Sequence, residues 1–312
     1  MNKLDEMNAL GFDSNKLAEI DWKVFYTKSI LPAYRHQPNI ARAIFGTPAP
    51  LNWDGKKMLE IPKINDISDP IYALEAQYTN DEIDGDTVKV ELPQISKSMK
   101  LTHEQRAQTL AGLDRLKLWS NQVMKKFVEF ENKIAFQGDS KTDVKGALST
   151  DAHDLGDPTD VWGAQDANGK LTNAIADFLR VRNRFSDLGF GERPLKIAIT
   201  SPISNLLKGT LLNNNGVVTN YDAIMKLLPP GSQIFVSNNI QASVSSSSNS
   251  MVAFVQLTSE EEIGYKLFST GIRQQVQPYL WGIEYGVQEK FTVKIADDDY
   301  VCWMDGISTA AS

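Results

Sequence analysis

The sequence contains 312 residues, of which 42% are hydrophobic and 23% are charged, and this composition is typical of a folded protein. The length exceeds the usual size of a single hydrophobic core, so we expect two lobes that share an interface. The net charge of −7, with a pI near 5.1, argues against a protein whose main task is to bind nucleic acid over a broad basic face.

Targeting signals and cysteine chemistry are also excluded by the sequence. Residues 1–6 carry no apolar run behind a basic patch, and no stretch is apolar enough for long enough to span a bilayer. We therefore expect a soluble protein that is synthesised in the cytoplasm. The single cysteine, Cys302, excludes an internal disulfide, and its position between Val301 and Trp303 predicts a buried small hydrophobe and not a nucleophile.

The first fifty residues combine apolar positions with helix breakers. Pro32, Pro38, Pro48 and Pro50 forbid a continuous helix, so residues 1–50 are predicted to form an N-terminal arm. Its apolar side chains must be buried somewhere, either on the arm's own domain or on a neighbouring copy; they are Leu17, Ile20, Trp22, Phe25 and Ile30.

Hydrophobicity alternates with period two in residues 51–100, which is typical of strands. Val88, Val90 and Leu92 alternate with polar residues, and the run around Met58 supplies a partner strand. An acidic, turn-rich section lies between them. We predict a long hairpin that extends from the body, the alternative being that it folds back into a sheet. A two-stranded ribbon is marginally stable in water, so a projecting hairpin must contact something outside its own lobe.

One long helix is predicted over residues 102–137. Thr102 and Gln105 have the spacing of a capping box, and Gly138 is a suitable left-handed stop. At this length the helix would measure roughly 50 Å. Its apolar stripe at helical spacing consists of Leu113, Leu116, Val123, Phe127, Phe130 and Ile134.

The region after the long helix alternates between helices and strands. A polar loop, whose Lys145 precedes Gly146, lacks the order of a phosphate-binding loop. Residues 150–170 are loop-like, and residues 171–188 form a helix. An α/β lobe is predicted over residues 195–265, with strands at 195–200, 233–236 and 251–255 and helices starting at Ser201 and Tyr221.

Two further segments complete the chain. The serine-rich tract at residues 243–250 is predicted to be a surface loop that is too polar to pack. Residues 266–312 show strand patterns such as the alternation of Phe291, Val293 and Ile295, and we expect these strands to run back under the long helix. Early and late parts of the chain would then form an α+β lobe.

The sequence offers few groups for catalysis or metal binding. The three histidines, His36, His103 and His153, lie far from partners at metal-ligand spacing, and we interpret them as surface residues. Two acidic triplets, at residues 260–262 and 297–299, fit turns better than a coordination sphere. We therefore predict no catalytic, cofactor-binding or metal-binding residue and no enzymatic activity.

The order of these parts, together with short local motifs, resembles the major capsid proteins of tailed bacteriophages (Hong Kong 97-like fold) and the related encapsulin shell proteins. The resemblance covers nearly the whole chain. The motifs that carry it are Glu129 to Gly138 followed by Lys145-Gly146-Ala147-Leu148, then Glu262-Ile263-Gly264-Tyr265, Pro278 to Tyr285, and Asp305-Gly306-Ile307.

The resemblance implies an α+β fold with five parts. Residues 1–50 would be the N-arm, 51–100 the E-loop, 101–194 the P-domain with its spine helix at 102–137, 195–265 the A-domain, and 266–312 the C-terminal strands returning to the P-domain. It also implies a structural role, in which copies form the pentamers and hexamers of a closed icosahedral shell. The E-loops would lie over adjacent subunits.

Further expectations follow from the same resemblance. The shell would enclose double-stranded DNA by weak, non-specific contacts, with a portal and possibly scaffolding or decoration proteins as partners. The protein would be located in the virion, after synthesis in a bacterial host. Some members form Lys–Asn cross-links, and Lys56, Lys57 and Lys63 lie near the hairpin without an identifiable partner. The short arm predicts a separate scaffolding protein or none.

Two other functions remain open at this stage. The first is an encapsulin-type nanocompartment that encloses a cargo protein. The second is a cytoplasmic enzyme with an unrecognised site, which would form small oligomers and contain a pocket with perturbed titratable groups.

Overall fold

The computed structural model describes residues 39–51, 58–62, 87–102, 113–148, 154–211, 218–237, 240, 249–258, 264–279, 282–295 and 298–310. Within these ranges the helices are α1 (Ile40–Phe45), α2 (Leu113–Gln137), α3 (Thr172–Asp187), α4 (Ser201–Gly209) and α5 (Asn220–Leu227), and a 3-10 turn covers Asp298–Tyr300. The strands are β1 (Ala49–Pro50), β2 (Met58–Pro62), β3 (Thr87–Glu91), β4 (Gln94–Thr102), β5 (Leu195–Ile199), β6 (Gln233–Val236), β7 (Asn249–Val255), β8 (Tyr265–Ser269), β9 (Arg273–Tyr279), β10 (Gly282–Ile295) and β11 (Val301–Ile307).

A central four-stranded sheet has the strand order β11-β7-β5-β6. Strands β5 and β6 are parallel, whereas β7 is antiparallel to both β5 and β11. Helices α4 and α5 connect β5 to β6, as a parallel pair requires. The predicted strands and helices of this region are confirmed, including the start of α4 at Ser201 with Pro202 in its first turn.

Each face of the central sheet covers a separate hydrophobic cluster, because neighbouring residues of a strand point to opposite faces. Ile197 and Ile199 face α3, α4 and α5, together with the fully buried Trp162. Ala198, on the other face, packs in a cluster with α1, the end of α2 and strands β8 and β10. The central sheet is therefore buried on both sides, which explains why every residue of β7 is buried.

A second, five-stranded sheet has the order β1-β8-β10-β4, with β9 also paired to β10. The N-terminal half of the 14-residue strand β10 lies between β4 and β9, and its C-terminal half pairs with β8. Gly271, with φ of 67°, lies in the short break between β8 and β9. Phe291 and Val293 of β10 pack in the same cluster as the end of α2, so this sheet covers the long helix as expected.

Strands β2 and β3 form an antiparallel pair, which confirms the predicted partner strands of the hairpin. In the described part of the chain, neither strand pairs with the other two sheets. Strand β4, which also lies in residues 51–100, belongs instead to the five-stranded sheet. Pro93 separates β3 from β4, because a proline has no N–H to continue a ladder.

The prediction of the long helix is confirmed at its C-terminal end, whereas its predicted start at Thr102 is wrong. It ends at Gln137, followed by Gly138 with φ of 72°, as predicted. Thr102, the expected N-cap, is instead the last residue of β4 and pairs with Gly282. Ladder pairing along β10 determines the conformation of this β-branched residue. The described part of the helix contains 25 residues and measures about 37 Å, and residues 103–112 of the predicted helix lie outside the described residues.

Two other expectations require correction. Asn249 and Ser250 were assigned to a polar surface loop, yet both are buried at the start of β7. Asn249 Oδ1 accepts a bond from Thr200, and Ser250 donates to Asp305, so tertiary hydrogen bonds satisfy these polar groups. The last strand, β11, was expected under the long helix. It pairs with β7 at the edge of the central sheet instead.

Candidate functional site

The sequence candidates for catalysis and cross-linking fall mostly outside the described residues. This applies to His36, His103, His153, Lys56, Lys57, Lys63, residues 260–262 and Asp297. Cys302 is buried, as predicted, and burial raises the pKa of its thiol far above the ordinary value. Asp299 lies 3.6 Å from Arg184.

Neither a metal-binding cluster nor a membrane-spanning helix is present in the part of the chain that the structure describes. No cluster of three or more His, Cys, Asp or Glu side chains suited to a metal ion occurs there. Likewise, among these residues no helix has the length and apolarity needed to span a membrane.

Helix α1, the described end of the predicted arm, is attached to the body by hydrogen bonds at both ends. Ala41 N–H donates to Asn132 Oδ1 of α2 at 2.8 Å, and Asn39 Oδ1 accepts from Arg42 N–H as an N-cap. Lys196 of β5 donates to the carbonyl oxygens of Ala43 and Ile44 at 2.9 and 3.0 Å, and burial lowers the pKa of its ammonium. This helix therefore packs on its own chain, whereas the apolar positions of the arm at residues 17–30 lie outside the described residues.

A buried ionic cluster lies between α1, α2 and the five-stranded sheet; we define Arg42, Glu131 and Glu289 as the anchor cluster. Both carboxylates are 0% exposed. Arg42 contacts Glu131 through two bonds, from Nε at 2.9 Å and from Nη2 at 3.0 Å. The same Nη2 lies 3.5 Å from Glu289 Oε1. One guanidinium thus faces two buried carboxyl groups.

The two carboxyl groups have different surroundings. Glu131 also accepts a bond from Asn39 Nδ2, so both of its oxygens have donors. Glu289 Oε1 accepts from Ser269, whereas its Oε2 has no hydrogen-bond partner in the part of the chain that the structure describes. Desolvation, followed by repulsion from Glu131, raises the pKa of Glu289 well above its ordinary value.

An open groove of about 590 Å³ runs between β4 and α2. Its apolar lining consists of Ile95, Trp119, Val123, Phe127 and Phe130. Val123 and Phe127 are buried at its base, whereas Phe130 and Trp119 are partly exposed. The apolar stripe of α2 is therefore confirmed at Val123, Phe127 and Ile134, and one edge of it faces this groove.

The rim of the groove is basic. Lys97, Lys125 and Lys126 lie along it, and the last two lie 3.9 and 2.6 Å from Glu129. The groove thus presents an apolar floor with three lysines on its border, two of which pair with Glu129.

Sequence reasoning missed the anchor cluster and a second buried carboxylate, Asp177. This side chain accepts bonds from Trp162 Nε1 at 2.7 Å and from Thr159, and it pairs with Arg180. The sequence spacing indicates that Asp177 is buried, because it lies three residues after Ala174 and four before Val181 on the apolar face of α3.

Comparison with known proteins identifies the fold. No protein-family model matches the sequence, and no curated protein matches it at a significant level. A solved virus-like particle from Pyrococcus furiosus matches with a TM-score of 0.58 and 11% identity, covering 88% of this chain and 95% of that one. The capsid of Myoviridae phage XM1 gives a TM-score of 0.58 and 12% identity, with coverages of 83% and 89%.

A cellular compartment is also similar. The holo-SrpI encapsulin complex from Synechococcus elongatus PCC 7942 matches with a TM-score of 0.52 and 10% identity, covering 91% of this chain and 90% of that one. The match extends over most of each chain in all three cases. The resemblance and the α+β fold expected from the sequence are confirmed: the chain has the fold that these phage capsid and encapsulin chains share.

Proposed function

We propose that this protein is the subunit of a closed icosahedral shell in which copies form pentamers and hexamers. The observation that carries the proposal is the shared fold, which extends over 88% of this chain and 95% of the virus-like particle subunit. A match of nearly complete chains supports a common architecture better than a match of one lobe. The role is structural and not enzymatic.

The proposed division of the chain follows the resemblance. Residues 1–50 would act as the N-arm, 51–100 as the E-loop, 101–194 as the P-domain, 195–265 as the A-domain, and 266–312 as C-terminal strands. The separate β2–β3 pair supports an E-loop that contacts an adjacent subunit, because two strands alone bury little apolar surface. The groove between β4 and α2 supports a further contact with a neighbouring copy, since its apolar floor is open. Contacts of this kind are heterologous and repeat around a ring.

The preferred form of this function is a phage capsid that encloses double-stranded DNA. The net charge of −7 is compatible with weak, non-specific contact with the packaged DNA. In this form a portal, and possibly scaffolding or decoration proteins, would be partners, and the protein would be located in the virion. The match to the phage XM1 capsid supports this form.

The second form is an encapsulin-type compartment that encloses a cargo protein. The match to the SrpI encapsulin complex, over about the same share of the chain, supports it. The two forms have the same subunit fold and differ in what the particle contains.

Microscopy and light scattering of the purified protein test the shell. We expect closed particles in negative stain and a molar mass of many subunits by multi-angle light scattering. A monomer or small oligomer at high concentration, together with a measurable catalytic activity, would overturn the proposal in favour of an enzyme.

The contents of native particles distinguish the two forms. Particles from the source cells are treated with nuclease and then opened, and the released material is analysed for nucleic acid and for protein. Nuclease-protected double-stranded DNA of uniform length identifies a capsid, whereas a single abundant second protein identifies a compartment.

A further inference from the structure

The charge balance of the anchor cluster is unfavourable if both carboxyl groups are ionised. Among the described residues, the cation that Glu289 faces is Arg42, whose guanidinium already makes two bonds with Glu131, and both carboxyl groups are buried. A buried charge without a full partner is costly, and the usual outcome is that one group becomes neutral. Arg42 interacts more strongly with Glu131 than with Glu289, because it donates two hydrogen bonds to Glu131. Glu131 accepts a third hydrogen bond from Asn39.

A proton on Glu289 would also satisfy the buried oxygen Oε2 of this residue. Glu289 Oε2 is buried and has no donor among the described residues, which is unfavourable for a carboxylate oxygen. Once protonated, the group becomes a donor, and Glu131 is the neighbouring acceptor with which it interacts. Ser269 continues to donate to Glu289 Oε1 in either state.

We propose that Glu289 holds a proton while α1 is docked and releases it to solvent when α1 detaches, so that the anchor cluster is a proton-dependent fastener of the arm. Three elements meet at this fastener. Arg42 belongs to α1, Glu131 to α2, and Glu289 to β10. Detachment of α1 withdraws Arg42 and exposes both carboxyl groups to water.

The sign of the pH dependence follows from proton binding. The docked state holds a proton on Glu289 at pH values at which an exposed glutamate, with an ordinary pKa of 4.5, has lost it. Docking therefore takes up a proton, and its contribution to stability is fully present below pH 4.5. This contribution is lost as the pH rises toward the raised pKa of Glu289, and higher pH favours detachment.

Three lysines lie on the elements that pack around the cluster. Lys196 contacts the C-terminal carbonyl groups of α1, at the opposite end from Asn39. Lys290 follows Glu289 on β10 and therefore points to the other face of the strand. Lys133, on α2, is exposed to solvent. Burial lowers the pKa of Lys196, and Lys196 is the same in the wild type and in the variants below, so their comparison separates its contribution from that of Glu289.

Hydrogen–deuterium exchange of the α1 amides tests the proposal on the full-length protein. The exchange rate is measured from about pH 5 to about pH 8 and corrected for the intrinsic pH dependence of amide exchange. We expect the opening equilibrium of residues 40–45 to rise about tenfold per pH unit within the window, because opening releases one proton. Glu289→Gln, which preserves shape and carries a permanent donor, should remove this dependence and keep α1 protected at high pH.

The matched control is Glu284→Gln on the same strand. Glu284 is partly exposed and lies 3.7 Å from Lys100, so its loss should leave the pH dependence of the α1 amides as in the wild type. An opening equilibrium of the wild type that does not change with pH, or an equal slope in Glu289→Gln and Glu284→Gln, would overturn the proposal.

Infrared spectroscopy supplies a readout that a purely structural role would not affect. We expect a protonated carboxylic acid band that persists as the pH rises above 4.5, the ordinary pKa of an exposed glutamate, in the wild type and in Glu284→Gln, and its absence in Glu289→Gln. A wild-type spectrum that loses all such absorption together with the exposed carboxyl groups would show that Glu289 is ionised and would contradict the proposal. Neither measurement requires that the protein form a shell.

Discussion

Glu131 and Glu289 occupy positions at which their elements otherwise bury apolar side chains. Glu131 lies four residues after Phe127 and three before Ile134 on α2, and both of these are buried. Glu289 lies between the inward positions of Val287 and Phe291 on β10. The two periodicities of 3.6 and 2.0 thus indicate buried carboxylates from the sequence, although only the fold shows that the two groups meet.

A charge without a partner at the base of the groove should prevent folding. Phe127 is 1% exposed on α2, and Phe127→Asp would place a carboxylate among apolar side chains. We expect insoluble protein or loss of the cooperative thermal transition by circular dichroism. Asn121→Asp, at an exposed position of the same helix, is the control and should fold normally. Soluble Phe127→Asp protein with a wild-type melting temperature would show that this residue is not part of the core.

Backbone contact at the end of α2 explains the requirement for glycine at position 146. A Cβ on Gly146 would lie 2.7 Å from the carbonyl oxygen of Phe136, and backbone atoms cannot yield as a flexible side chain can. We expect Gly146→Ala to lower the free energy of unfolding by at least about 2 kcal/mol in urea denaturation. Gly209→Ala in α4, where a Cβ meets nothing within 4 Å, should be neutral or slightly stabilising. Equal effects of the two substitutions would contradict this reading.

At the scale of elements, local signals predicted the ends of α2 and α3 and the start of α4. Gly138 and Gly189 follow α2 and α3, because a left-handed residue stops a helix without help from distant parts of the chain. The predicted start of α2 at Thr102 is wrong. Thr102 has the side chain of an N-cap, but the ladder with β10 places it in a strand.

One of the contacts that attach α1 is the buried amide of Asn132 on α2. Asn132→Ala would leave the N–H of Ala41 without its acceptor in a buried site, and we expect a loss of about 1–3 kcal/mol in the free energy of unfolding. The α1 amides should also exchange faster. Asn121→Ala is the matched control, since Asn121 is exposed on the same helix, and it should change stability by less than about 0.5 kcal/mol. If both variants are equally stable, the bond from Ala41 does not hold the helix.

At the scale of the whole molecule, the proposed contact with an adjacent subunit can be tested at the separate β2–β3 pair. Deleting residues 65–86 should leave both hydrophobic clusters intact, because none of their described residues lies in that segment. We expect a folded protein with a wild-type circular dichroism spectrum that forms no closed particles in negative stain. A deletion of residues 241–248, another segment outside the described residues, is the control for shortening the chain. Normal particles from the first deletion would refute the proposed role of the hairpin.

The sequence by itself determined the local structure: the apolar stripe of α2 from Val123 to Ile134, the alternating strands and helices from Leu195 to Val255, and the pairing partners of the hairpin. Each of these depends on a periodicity or a stop signal within a short stretch. Tertiary structure alone decided that β11 joins the central sheet, that Asn249 and Ser250 are buried, and that Arg42 holds two carboxyl groups. These features depend on partners tens to hundreds of residues away, and a polar side chain is buried only where such a partner satisfies it.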